Sequence, residues 1–436
     1  MATPMTTPIM PSNSLRCQVK GHRSHAEKLA AVAVKSLADC LSACRANGDC
    51  LSVDYSQSSG CDLYNVAVGN EDSKSGWYMF DRDCYQSLPG DSITTGDEDL
   101  FDALIVGGPA GLAALSSLAR ANRKALLIDS GIYRSAAIRK MHDVVGFDGV
   151  TGAYFRWAGR KKLSYYKSVS MINGTITRIQ PGKSKKYFTA TGTNNEGKTT
   201  EYTAKKIILA TGLRDLIPDT PGLKENWAKG ICICEFCDGY EHANQTLGVI
   251  APLERVPRLV RSVLTLNRDI IAFTNGTDTP EARLEMEEKE PNWKVYLKIH
   301  NVSLDNRKIT SIERLRDGSD PNADSSLPSH PEDDLFRINL NPDRPVERNV
   351  LMISVPVEQT SWLGMEAGVR LVNGLLQANA SDGFATNIPG IYAVGDANTD
   401  GISNVPHALF SGKQAAMHIH GKLFLAYALG EEANTP

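Results

Sequence analysis

Long apolar runs, charge of one sign and, over most of its length, cysteine are what this chain lacks. No apolar stretch approaches the roughly 20 residues that a membrane-spanning helix needs, so no span is expected. The 47 Lys and Arg are interspersed with 50 Asp and Glu, for a formal net charge of -3. Without a basic stripe there is no electrostatic footprint for nucleic acid or for an anionic membrane surface. Cysteine is absent between Cys84 and Cys232 and again after Cys237, so the nine cysteines fall into an early six and a later three. Glycine is missing everywhere between Gly248 and Gly276, a gap whose meaning depends on the motifs around it. What the chain has is 436 residues, enough for two or three domains, and a 42% hydrophobic content, ample for sizeable cores.

Cys17, Cys40, Cys44, Cys50, Cys61 and Cys84 crowd into the first 90 residues. An even number of cysteines in a segment too small for a large core predicts a disulfide framework, although spacing alone cannot choose the pairing. A reduced or metal-binding segment is the alternative, disfavoured because no histidine stands near the later cysteines. Asp39-Cys40-Leu41-Ser42-Ala43-Cys44, then Cys50, Tyr55 and Cys61-Asp62-Leu63-Tyr64, resemble a PAN/apple domain over residues 15–86. The resemblance implies a helix pinned to a small sheet, with Cys17 paired to Cys84, Cys40 to Cys61 and Cys44 to Cys50. It also implies a binding role, towards protein or carbohydrate. Residues 1–14 read as a tail, and 87–99, aperiodic and carrying Pro, Gly and acidic side chains, as a linker.

The catalytic part starts after that linker. Ala103-Leu104-Ile105-Val106 suits a buried parallel strand, and Gly107, Gly108, Pro109, Ala110 and Gly111 lead from it into an Ala/Leu-rich helix over 112–120. Such a glycine turn lets a pyrophosphate approach the backbone, and the helix N-terminus offers it unpaired N–H groups. The usual glycine pattern is one residue short here, so either Val106 takes the first glycine position or the turn is tighter. A second strand, Ala125-Leu126-Leu127-Ile128, ends in Asp129, at the spacing where an acid binds an adenosine ribose hydroxyl. Two further apolar strands end in polar turns: Ile207-Ile208-Leu209-Ala210 in Thr211 and Gly212, and Ile391-Tyr392-Ala393-Val394 in Gly395 and Asp396. A helix over 407–423 follows, preceded by Asn404, Val405 and Pro406, and its N-terminal dipole suits a developing anion.

Between these signals lies Cys234-Glu235-Phe236-Cys237-Asp238-Gly239. Two cysteines separated by two residues can close a disulfide and reopen it, and a helix start lowers one thiol pKa. Asp238 beside them is a candidate general base if burial raises its pKa, or simply a helix-capping aspartate. Zinc is an alternative use for Cys232, Cys234, Cys237 and His242, but that spacing is compact for a tetrahedral site, and no metal is expected. Cys232 reads as a bystander in a strand, with a third, disulfide-intercepting thiol as the alternative.

Together these motifs resemble the thioredoxin reductase family of FAD enzymes over residues 100–430. Met141-His142-Asp143-Val144-Val145-Gly146-Phe147, Ala210-Thr211-Gly212-Leu213-Arg214-Asp215 and Phe236-Cys237-Asp238-Gly239-Tyr240-Glu241 are most similar to its fungal dithiol oxidases of gliotoxin type. The resemblance implies an α/β fold with two Rossmann-like dinucleotide-binding domains, the second inserted in the first, behind a small disulfide-rich α+β domain. An FAD domain then occupies 100–218 and 349–436, and the insert carrying the cysteines 219–348. It implies a homodimer in which Cys237 faces the flavin and Cys234 exchanges with substrate sulfur. Gly107, Gly108, Pro109, Ala110, Gly111, Asp129, Thr211, Gly212, Gly395, Asp396 and His407 are then cofactor-binding positions. His142 and His407 are candidates to hold a proton near the flavin, with a structural hydrogen bond as the alternative, whereas Trp362 and Phe410 are expected in ordinary core packing, with the lining of a substrate pocket as the alternative. One departure is Ile233, where gliotoxin-type oxidases tend to carry His.

The glycine gap now bears on the electron acceptor. NADPH-dependent relatives have a second glycine-rich loop after a strand, with arginines further on for the 2′-phosphate. Here Leu247-Gly248-Val249-Ile250 leads into the glycine-free stretch, and the next strand, Ile270-Ile271-Ala272-Phe273, ends in Thr274-Asn275-Gly276. Arg255, Arg258, Arg261 and Arg268 read as the solvated face of a helix, with a phosphate clamp as the alternative. The expectation is an oxidase that takes electrons from a small-molecule dithiol or related natural product through Cys234 and Cys237 to FAD, and on to O2. The alternatives are an NADPH-dependent disulfide reductase, a flavin oxidase of a non-thiol metabolite, and a binding protein acting through its first domain. Location is pulled two ways. The disulfide framework and the Asn-x-Ser/Thr sites at Asn173, Asn244, Asn275, Asn301 and Asn379 point to the secretory pathway. Residues 1–14 show no signal-peptide pattern, and secretion is placed ahead of the cytoplasm.

Overall fold

The computed structural model describes residues 100–182, 186–194, 197–320, 327–342 and 344–429, with five short strands before residue 100. Those strands are β1 (Val19–Lys20), β2 (Lys28–Val32), β3 (Ser52–Ser56), β4 (Gly60–Tyr64) and β5 (Tyr78–Asp81), in one antiparallel sheet of order β1-β5-β3-β4-β2. The helix and the three disulfides expected there lie outside the described residues. Beyond residue 100 the chain divides into two compact units. One runs to Ala136 and resumes over Ala153–Leu213 and from Gln359 on; the other comprises Ala137–Gly152 and Arg214–Glu358.

The first unit opens with β6 (Leu100–Gly107), α1 (Pro109–Arg120) and β7 (Ala125–Asp129), followed by α2 (Gly152–Leu163), β8 (Val169–Pro181), β9 (Phe188–Asn194) and β10 (Thr199–Ala210). Ala103, Leu104, Ile105 and Val106 are all buried, because β6 pairs in parallel with β7 on one side and β10 on the other. A strand covered on both faces reads as a continuous apolar run. The antiparallel ladder of β8 with β9 instead alternates buried and exposed positions over much of its length.

In the second unit, β11 (Ile231–Cys232), α3 (Glu235–Asp238), β12 (Leu247–Ile250), α4 (Val256–Val263), β13 (Ile270–Phe273), α5 (Pro280–Lys289), α6 (Trp293–Ile299) and β14 (Ser303–Asp305) come in turn. β15 (Lys308–Arg316), β16 (Leu335–Asn341) and β17 (Val346–Arg348) then make an antiparallel sheet, and β18 (Val350–Ile353) returns to a parallel sheet of order β11-β18-β12-β13-β14. α4 buries Val256, Val260 and Val263, an i, i+4, i+7 stripe whose opposite face carries arginines.

The chain re-enters the first unit, where β19 (Ile391–Ala393) completes the order β19-β10-β6-β7-β8-β9, and α7 (Val405–Ala428) closes it. Asn404 Oδ1 accepts from the His407 N–H at 2.7 Å, capping α7. Ala415 and Ile419 pack with Leu115 and Leu118 of α1 in one core. A Cβ on Gly412 would lie 2.1 Å from the Ala110 carbonyl oxygen, so glycine is what lets α7 approach the start of α1. Among the described residues no helix is long and apolar enough to cross a membrane.

Candidate functional site

Two groups of functional side chains are built in the two units. In the first, β6 ends at Gly107, with φ +120° and a virtual Cβ only 2.0 Å from the Ala210 carbonyl oxygen, a position open to glycine alone. Val106 is a strand residue paired with Leu209 and Ile128. Gly108 lies under the Tyr133 ring, and Gly111 against Leu127 and Ile105, which seats α1 tightly on the strands. No side chain caps α1, and the first-turn amides of Ala110 and Gly111 have no earlier helical carbonyl to bond. Thr211 Oγ1, just past the end of β10, is buried without a hydrogen-bond partner, and Gly212 follows at φ +68°. An uncapped helix start beside an orphaned hydroxyl, at the carboxyl ends of parallel strands, fits the phosphate-bearing cofactor that the resemblance implies, FAD.

Asp129 ends β7 at 3% exposure. Its Oδ1 accepts from the Gly131 N–H at 3.0 Å and its Oδ2 from the Tyr133 hydroxyl at 2.7 Å. Each carboxylate oxygen can accept twice, so capacity for a ribose hydroxyl remains. Burial, reinforced by the Asp129 charge, pushes the Tyr133 phenol up and keeps it a donor. The Arg156 guanidinium lies 3.7 Å from the centre of the same ring. Gly395 (φ +67°) donates its N–H to Ser411 Oγ at 2.9 Å, and Asp396 Oδ2 accepts from Arg134 Nη1 at 3.1 Å and from Ser403 Oγ at 2.8 Å. His407, in the first turn of α7, places Nε2 2.7 Å from Asp400 Oδ2. Trp362 and Phe410 are 48% and 52% exposed; neither is a core residue as expected, since α7 turns Phe410 away from the face that carries Ala408, Ser411 and Ala415.

In the second unit Cys234 and Cys237 are joined by a disulfide, with Cα atoms 5.3 Å apart. Both are half-buried, with Ile233, Phe236 and Tyr240 exposed around them. Cys234 leads α3, but α3 is a single turn of four residues. Its dipole is smaller than the sequence suggested. Cys232 is 3% exposed, and burial, followed by the charges of Asp238 and Glu235, pushes its thiol well up. It stays protonated and inert, a bystander. The zinc alternative does not assemble: two of its four groups are bonded to each other, and His242 faces Asp238 and Asp334.

Asp238 has its carboxyl pushed up to about 7 by burial first and by Glu332 next; Glu241 adds to the rise, while His242 and Arg139 oppose it. A carboxyl that titrates near neutrality beside a redox disulfide is matched to proton transfer. Behind it stands a cluster that the sequence did not show. Arg139 donates to Glu332, to Asp334 (2.7 and 3.0 Å) and to Asp317 (2.7 Å), and Arg314 and the Gly318 N–H donate to Asp334 at 3.0 and 2.8 Å. Burial pushes the fully buried Asp334 up, but hydrogen bonds from His242, Arg139 and Gly318 outweigh it and hold the carboxyl well below the usual range. His142 also stands in this unit, with Nε2 3.4 Å from Glu241 Oε1, which accepts from Ser329 Oγ as well. Asp334→Ala is expected to cost about 3–5 kcal/mol, because it removes the one fully buried anion from between His242, Arg139 and Arg314 and leaves their donors toward it unpaired; the urea midpoint reads it. The wild-type contribution of Asp334 is present above the ordinary carboxylate pKa and is lost as the pH falls through its depressed value.

Residues 101–256 match the family described as pyridine nucleotide-disulphide oxidoreductase, and residues 17–86 match the PAN domain. A probable thioredoxin reductase of Arthroderma benhamiae is 42% identical over 337 residues, 75% of this chain and 81% of that protein. Thioredoxin reductase tcpT of Claviceps purpurea is 29% identical over 336 residues, 74% of this chain and 93% of its own. The crystal structure of HlmI shares the fold with a TM-score of 0.64 at 24% identity, over 78% of this chain and 99% of that one. Putative thioredoxin reductase TrxB of Bacillus anthracis does so with a TM-score of 0.62 at 22% identity, over 74% and 98%.

Proposed function

Because the chain belongs to the thioredoxin reductase-like FAD oxidoreductases, with a PAN domain ahead of its catalytic part, we propose that it is a dithiol oxidase. It closes a disulfide in a small-molecule dithiol, a natural product by the chemistry of the group it resembles, and the electrons pass to O2 to give H2O2. The observation that carries this reading is the turn between β12 and α4, where a nicotinamide cofactor's pyrophosphate needs glycines and free amides. Leu253 fills that turn with a fully buried side chain. Its N–H is committed to Thr277 Oγ1 at 3.1 Å and that of Ala251 to the Phe273 carbonyl at 3.2 Å, while Pro252 and Pro257 have no N–H to give. Arg255 donates to Ser354 Oγ at 2.9 Å and Arg261 to Glu290, so two of the four candidate phosphate ligands are engaged within the unit.

In the proposed turnover a substrate thiolate attacks Cys234 sulfur and Cys237 leaves as a thiolate. The second substrate thiol then displaces Cys234, forming one substrate disulfide and two enzyme thiols. Asp238 takes the substrate proton. Bound FAD supplies the two-electron carrier that restores the disulfide at the expense of O2. The exposed apolar side chains of Ile233, Phe236 and Tyr240 suit a compact, largely apolar substrate. The names of the relatives favour a second reading, an NADPH-dependent reductase, and anaerobic mixing with NADPH separates the two. The oxidase leaves the flavin absorbance unchanged with NADPH and bleaches it with a dithiol, whereas rapid bleaching by NADPH would establish the reductase.

The proposed enzyme is a homodimer that pairs through α7. Phe410, Met417 and Phe424 are 52%, 55% and 59% exposed, at i, i+7 and i+14 on one face interrupted by Lys413 and Gln414. An apolar stripe of this length on one helix marks an interface, and against a second copy it is self-complementary about a twofold axis. Met417→Asp is expected to halve the mass measured by light scattering. A wild-type monomer, or a variant that stays dimeric, counts against this surface.

A further inference from the structure

His242 is not among the residues that do chemistry in the reading above, yet it is the most constrained titratable group next to them. Its ring is 1% exposed. Nδ1 lies 2.9 Å from the carbonyl oxygen of Asp238, and Nε2 lies 3.2 Å from Oδ2 of Asp334. A carbonyl oxygen only accepts. Asp334, taking donors from Arg139, Arg314 and the Gly318 N–H, is ionised and also only accepts. A neutral imidazole has one N–H, so either tautomer would set a nitrogen lone pair against a buried acceptor. Only the doubly protonated ring satisfies both contacts. The surrounding charges agree: the guanidiniums of Arg139 and Arg314 face the carboxylates of Asp317, Glu332 and Asp334, and a charged His242 balances the group.

We propose that His242 is a positioning residue that remains an imidazolium at neutral pH, clamped between the Asp238 carbonyl and the Asp334 carboxylate, and that its charge keeps the neighbouring Asp238 carboxyl able to ionise. This rests on the reading of Asp238 as the base. Burial lowers the ring's own pKa, but the hydrogen bonds to Asp334 and Asp238, with the charge of Glu332, outweigh it and the net direction is upward. On the Asp238 carboxyl, Glu332 and Glu241 act with burial to favour the protonated form, and His242 and Arg139 act against them. Cys232, the other titratable neighbour, is a neutral thiol, and Lys140, itself half-buried, sits within reach of the Glu332 charge. Without the imidazolium, the Asp238 carboxyl would hold its proton to higher pH, and a smaller fraction of it would be free to take one from substrate at neutrality.

The test is His242→Gln, which removes the charge and keeps a hydrogen-bonding side chain. The Asp238 limb of the kcat–pH profile is expected to rise by roughly one unit, so that at neutral pH kcat falls several-fold while KM changes less than about twofold. A limb that stays in place while thermal stability falls overturns the proposal and leaves His242 a packing residue. If the variant does not fold, the wild-type protein labelled with 15N-histidine decides: both ring nitrogens of one buried histidine should remain protonated at neutral pH, above the ordinary value of ~6.5. A single neutral tautomer there overturns the inference whatever the activity. If instead Asp238→Asn leaves the pH profile unchanged, the base assignment fails, and the nitrogen spectrum still reports separately on the charge of His242.

Discussion

Cys237→Ser should lower dithiol-dependent oxygen uptake on the order of 10³-fold or more, the scale seen when one member of a catalytic unit is removed, without loss of bound FAD. A serine oxygen cannot form or release the bond that links Cys234 and Cys237, so substrate thiolate has no disulfide to attack. The proposed cofactor cradle rests on other residues: the turn from Gly107 to Gly111, Asp129, Thr211 and Asp396. The flavin absorbance of the purified variant should therefore match wild type. Cys234→Ser should lose as much, for the complementary reason that the electrophilic sulfur facing substrate is gone. Cys232 cannot substitute for either, being buried, with its thiol pushed well up, and Cys232→Ser should retain activity within about twofold. Oxygen uptake that survives in Cys237→Ser would mean that the flavin oxidises substrate directly and that the metabolite is not a thiol.

Those residues were legible in the sequence because each motif is local. A strand, a glycine turn and a helix start occupy a dozen consecutive positions from Ala103 on, and the physical demands of close backbone approach leave few residue types able to fill them. The same holds for Asp129 at the end of β7 and for Gly395 after β19. What was hidden is assembled across the chain. Arg139, His242, Glu332 and Asp334 meet only because Ala137–Gly152 and Arg214–Glu358 fold into one unit, and no periodicity relates an arginine to carboxylates nearly two hundred positions away. Helix length was hidden too. The sequence around Cys234 carries a start signal, but α3 ends after one turn, which shrinks the dipole available to tune a thiol there. Phe410 was misplaced because apolarity predicts burial only on average, and the exposed stripe of α7 is where that average fails.

Asp238→Asn is the substitution for which activity and stability should move in opposite directions. With a carboxyl pushed up to about 7, Asp238 gains its negative charge across neutrality, and the oxidase rate should rise with pH through that value as the base form accumulates. The amide accepts no proton. The variant should lose roughly 10²–10⁴-fold in kcat, the range for a positioned acid–base group. What remains should climb only as the substrate thiol itself ionises near ~8.5. For stability the sign follows from linkage. The folded protein keeps the Asp238 proton up to about 7, whereas the unfolded chain releases it near ~3.9, so stability falls as the pH rises between those values. Asparagine carries no such cost, and above neutral pH the variant should melt higher than wild type while turning over slowly. A variant that is both slower and less stable at alkaline pH would mean that the ionised Asp238 carboxylate has a stabilising partner in the folded chain. A rate profile that still inflects near 7 in Asp238→Asn would pass the role of base to another group, and Glu332, whose carboxyl is also raised by burial, is the nearest in character.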